Sequence, residues 1–160
     1  MGFSVEPSPI PPGDSISFDP ALVGTLVMEH ARIERTFMRT LELARTRKFP
    51  AARKSLETLR ALLTDHLIKE RGPLSLYLMR AWRDNPDAIT QIRQFEQEMR
   101  PLRKQVMEFL DQYTDSGITP DSALRFVDEG IIIARALATR IRSEETALYP
   151  LYRLPAEVSP

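Results

Sequence analysis

Four times along this chain a proline opens a long stretch in which apolar residues return every three or four positions. The openings are Asp19-Pro20, Pro50, Asn85-Pro86 and Thr119-Pro120. Proline suits the first turn of a helix, where its missing N–H has no partner to lose, and Asp19, Asn85 and Thr119 are good capping residues before it. The spacing predicts helices over about 20–47, 50–71, 86–115 and 120–149. Gly72-Pro73 should break or kink the second, with a further helical piece to about Asp84, and Pro101 should kink or open the third. A 30-residue helix spans roughly 45 Å, and the lengths are similar, so short connections imply antiparallel neighbours. The expected fold is all-α: an antiparallel up-down-up-down four-helix bundle over 19–153, preceded by a disordered N-terminal arm. The arm, 1–18, is rich in proline, and 154–160 form a tail.

Each stretch has one inward stripe. The first holds Val23, Leu26, His30, Ile33, Phe37 and Leu41; the second Leu56, Leu59, Leu63, His66 and Glu70. The third holds Ile92, Phe95, Met99, Leu102, Val106, Phe109 and Tyr113; the fourth Ile133, Leu137, Arg140, Glu144 and Leu148. Polar residues therefore interrupt three of the four stripes.

Composition narrows the function classes. The chain has 160 residues, 42% hydrophobic and 28% charged, with zero formal net charge. One domain is expected, and a neutral chain argues against nucleic-acid binding, which needs a basic surface. The basic run at Arg100, Arg103 and Lys104 reads as a wet helix face. With no cysteine, disulfides, thiolate metal sites and cysteine catalysis are excluded. No apolar run approaches a membrane span, and neither a signal peptide nor a myristoylation signal is expected. The expected location is cytoplasmic; monomer and homodimer stay equally open.

The chain has two histidines, and both fall on inward stripes. A histidine on such a stripe is most often a packing residue. Here His66 and Glu70 form a His-x-x-x-Glu, and residues four apart on a helix share a face. Imidazole with carboxylate is a ligand set for iron, zinc or manganese.

These residues resemble the hemerythrin-like (HHE cation-binding) family over roughly 20–152. That family has a His on helix 1, His-x-x-x-Glu on helix 2, His on helix 3, and His-x-x-x-Glu/Asp on helix 4 before an aromatic-Pro end. His30, His66 with Glu70, Glu144, and Leu148-Tyr149-Pro150 match that order. Met99 stands in the helix-3 histidine slot and Arg140 in the helix-4 slot. The resemblance then implies one metal half-site with both bridging carboxylates kept, and the other half lost, so di-iron oxygen carriage is not expected.

Two states follow. One ion sits between His30, His66, Glu70 and Glu144; or no metal binds, and Arg140 is the resident cation, pairing with Glu70 and Glu144. Of Glu144 and Glu145, one is expected to face solvent, and the sequence does not say which. Met99 reads as core filler, Trp82 as packing for the connection after helix 2, and Tyr149 and Tyr152 as closing one end of the bundle.

The chain is also similar to sigma-factor-binding regulators of the Rsd/AlgQ type. These carry a His shortly before Glu-Arg on the second helix (here His66 and Glu70-Arg71) and Arg-x-x-x-Glu-acidic near the end (here Arg140, Glu144, Glu145). That resemblance implies a metal-free regulatory bundle whose partner is an RNA polymerase sigma subunit. No nucleophile-base pair or phosphate loop is visible, so an enzyme is the least expected class.

Overall fold

The computed structural model describes residues 5–156. Five α-helices run in the order α1 (Leu22–Arg45), α2 (Phe49–Lys69), α3 (Ser75–Ala81), α4 (Pro86–Ser116) and α5 (Ala123–Ser143). A π-helical segment, Glu70–Leu74, joins α2 to α3. A second, Glu144–Leu148, continues α5 and is followed by a 3-10 turn over Tyr149–Leu151. With α2 and α3 taken as one rod, four helices pack in a ring: α1 touches α2 and α5, and α4 touches α2, α3 and α5. No strand occurs among the described residues.

Gly72-Pro73 does not end the second rod; the wider π segment carries the chain past Pro73 into α3. Helix α4 continues without interruption through Pro101. Of the three expected caps only Asn85 closes its helix directly, accepting from the Ala88 N–H at 3.1 Å. Asp19 instead accepts from Ala21 N–H, ahead of α1. Thr119 exchanges bonds with Ser122 in the turn before α5.

Two glycines are required by geometry. Gly117 ends α4 at φ 77°, a left-handed conformation that costs glycine little. Gly130 lets α5 approach α1: a Cβ there would run into Leu41 and come within 3.3 Å of Phe109 Cζ.

The core is in two parts. One packs Ile33, Phe37, Leu56, Leu59, Leu63, Phe109, Phe126 and Leu137. The other packs Leu26, Leu74, Tyr77, Trp82, Ile92 and Tyr152. Trp82 closes the end of α3 as expected, donating from Nε1 to the Leu151 carbonyl at 2.8 Å. Between the two apolar parts the stripes turn polar.

The arm has no helix from residue 5 to 18, as its prolines dictate, and it lies against the end of the bundle. Ser8 N–H donates to the Ala81 carbonyl at 2.6 Å, and Phe18 stacks on Tyr152 with ring centroids 4.9 Å apart. Ile10, Ile16 and Phe18 pack against the second core part, which gives the arm a reason to lie down. The remainder of the arm, 1–4, and the end of the tail, 157–160, lie outside the described residues. Among those described, no helix is long and apolar enough to cross a membrane.

Candidate metal centre

His30, His66, Glu70 and Glu144 meet in the polar layer, one helical rod contributing His66 with Glu70 and two others one residue each. His30 and His66 are 2% and 3% exposed and Glu144 2%. One ligand atom from each of the four lies within 4.8 Å of the others. His66 Nε2 stands 3.1 Å from Glu70 Oε1, and His30 Nε2 stands 3.5 Å from Glu144 Oε2 and 3.8 Å from Glu70 Oε1. An ion about 2.1 Å from four tetrahedral ligands separates them by about 3.4 Å, so these spacings suit one small cation. A cavity of about 10 Å³, the space of a single water, is lined by these four residues with Met99, Arg140 and the apolar Ile33, Leu63, Leu67, Leu137 and Ile141. The donor set therefore fits a borderline metal such as iron, zinc or manganese.

The backbone explains how the carboxylates arrive there. Glu70 opens one π segment and Glu144 opens the other. Single π turns inside α-helices are rare and concentrate at functional sites. In an α-helix, positions five apart are separated by about 1.4 turns and so lie about 0.4 of a turn out of phase. The π course, with its i to i+5 bonding, brings the Tyr149 side chain back over Glu144. The Tyr149 hydroxyl lies 3.1 Å from Glu144 Oε2, 2.7 Å from Glu70 Oε1 and 3.1 Å from His30 Nε2. Tyr149 thus belongs to the polar centre as well as closing the bundle.

Two further carboxylates were not expected. Glu145 is not simply solvated: its Oε1 is 2.9 Å from His30 Nδ1, and its side chain is 33% exposed. In the neutral imidazole that contact puts the proton on Nδ1 and turns the Nε2 lone pair toward the centre. Glu29 stands 3.8 Å from His66 Nδ1 and is held by Lys69 Nζ at 2.6 Å. Sequence spacing offers one clue to each, since Glu29 adjoins His30 and Glu145 adjoins Glu144.

Arg140 is where the alignment puts it, but its pairing is narrower than expected. Nε donates to Glu144 Oε1 at 3.0 Å and Nη2 to the Phe95 carbonyl at 2.7 Å. The guanidinium also lies over the Phe95 ring, 4.8 Å from its centroid. Arg140 makes no pair with Glu70; its second carboxylate is Glu98, 3.8 Å from Nη1, while Tyr149 and His66 both contact Glu70 Oε1. Met99, at the lost ligand position, is buried in the apolar core beside the layer.

Without an ion, protons hold the layer together. Burial alone would pull the His30 imidazole down, but hydrogen bonds with Glu144, Glu70 and Glu145 outweigh it and raise the group to about 10. Burial, then Glu70, push Glu144 up. For Glu70 burial works upward too, but bonds from Glu144, His30 and His66 win and keep it well below the usual carboxylate range. Burial and the two carboxylates drive the Tyr149 phenol far upward, so it remains a proton donor.

No family model, no curated protein and no solved structure matches the chain. The protein is an all-helical bundle with a buried His/Glu group that could hold a metal ion.

Proposed function

We propose that this bundle is a hemerythrin-like metal-binding or sensing domain with a reduced site, holding one iron, zinc or manganese ion. The ligands are His30, His66, Glu70 and Glu144. The observation that carries this reading is the convergence of four ligand atoms within 4.8 Å in a layer with almost no solvent access. Such an ion supplies a Lewis-acid centre and, when it is iron, a one-electron couple. Glu145 orients His30; Arg140 neutralises Glu144 and leaves no nitrogen lone pair for a second ion. That asymmetry favours a single ion and a regulatory role over oxygen carriage.

Cobalt(II) titration tests it. The expected result is a visible d–d band that saturates near one equivalent and is lost in His30→Ala and His66→Ala. An unchanged spectrum through several equivalents would sink the reading.

One observation favours a second reading, a metal-free regulatory bundle. Arg140 and Tyr149 leave neither Glu144 nor Glu70 without a donor. The partner would then be a protein, such as an RNA polymerase sigma subunit. Chelator-stripped protein that still captures purified sigma subunit would support this reading, and no capture at micromolar concentrations would end it.

A further inference from the structure

A cleft of about 190 Å³ opens between the first π segment, α3 and α4, immediately beside the polar layer. Leu78, Ile92 and Phe95 give it apolar surface, and Met99 and Arg140 line it where the layer begins. It also gathers Arg71, Arg100 and Arg103. None of these three guanidiniums makes a hydrogen bond or ion pair among the described residues. Arg103 is half-buried, and its Nε is buried with no partner. A buried donor of this kind is expensive to leave unsatisfied. Burial, followed by repulsion from Arg71, works against the Arg103 charge, so the group sits there at a cost.

Glu70 and Glu96 attract Arg103 from a distance, but no carboxylate of the cleft hydrogen-bonds these arginines. Glu96 accepts from the Ser75 hydroxyl, Glu144 from Arg140, and Glu70 from Tyr149. Every acidic group in the cleft already has a donor; Arg71 and Arg100 are exposed at its mouth, and only Arg103 has a buried nitrogen with no acceptor. The wet helix face expected at Arg100 and Arg103 is in part the wall of a pocket. The cleft has room for a small oxyanion.

We propose that this cleft binds a small oxyanion, a carboxylate or a phosphate, on Arg71, Arg100 and Arg103. Guanidinium forks match the paired oxygens of both groups. The site does not require an ion in the His/Glu layer.

The test is calorimetric titration of chelator-stripped protein with inorganic phosphate and, separately, with succinate, at an ionic strength fixed by chloride. Saturable binding of either is expected, and which one binds identifies the oxyanion. Arg103→Gln should weaken it about tenfold or more, and Arg71→Gln should weaken it in the same direction. Lys104→Gln, one position along α4 and outside the cleft, should leave it unchanged. Thermal melts establish that each variant is folded. Absence of saturable binding by both probes overturns the proposal, as does equal weakening in Lys104→Gln. Binding that needs added metal and survives Arg103→Gln overturns it too, because the ion would then be the anion's partner. Failure of the metal reading alone leaves these results untouched.

Discussion

His66–Leu74 and Arg140–Leu148 follow the same backbone course on two sides of the polar layer. In each, an α-helix carries a nitrogen-bearing side chain, then a glutamate four residues on, and that glutamate opens a five-residue π segment. The contacts are nearly equal: His66 Nε2 is 3.1 Å from Glu70 and Arg140 Nε is 3.0 Å from Glu144. Their chemistry is opposite. A neutral imidazole has a lone pair for a metal, whereas a guanidinium has only donors and a permanent charge. One backbone device therefore gives a ligand on one side and a fixed cation on the other, according to the residue that precedes the glutamate by one turn.

Breaking the ligand side should have the largest effect. His30→Ala is expected to lower metal affinity about a thousandfold, or about 4 kcal/mol, measured by competition with a chromophoric chelator. The same residue separates metal binding from folding by pH. In metal-free protein the raised His30 group contributes its stability in full below its unfolded value of 6.5 and loses it as pH climbs toward about 10. Metal must displace that proton, so affinity should rise over the interval in which metal-free stability falls. Parallel slopes in chelated and loaded melts would contradict this.

On the cation side, Arg140→Met keeps bulk and removes charge. It should destabilise metal-free protein by about 2 kcal/mol in urea, because Glu144 loses one of its two charged partners in a buried site and keeps only protonated His30. A neutral result would mean that Glu144 needs no cation besides His30. Glu145→Gln should cost about tenfold to a hundredfold in metal affinity through the orientation of His30, with little change in metal-free melting. The smallest effect belongs to Tyr149→Phe, about 1–2 kcal/mol of metal-free stability, read from the urea midpoint.

Much of this was legible in the sequence because helical spacing is regular. The stripes through His30, His66 with Glu70, and Glu144 needed only the rule that residues three and four apart share a face. The four helices followed from the same rule, and Gly117 and the prolines marked their ends. What escaped were the places where the period changes. Tyr149 lies five residues beyond Glu144, off-phase for an α-helix, and reaches the layer through the π segment. The expected Arg140–Glu70 pair does not form, and Arg140 instead reaches Glu144, Glu98 and the Phe95 carbonyl. Glu29 and Glu145 flank the inward stripe, and their role depends on which way a neighbouring imidazole turns. The contacts of the arm also escaped, because its prolines exclude helix without specifying the packing of Ile10, Ile16 and Phe18.

The most direct test of a single-ion layer is elemental analysis of the purified, untagged protein, before and after reconstitution with ferrous iron under nitrogen. The account predicts about one metal ion per chain in wild type and none in His30→Ala or His66→Ala. Wild-type protein free of metal under both conditions would contradict it and leave Arg140 and protonated His30 as the cations of the layer.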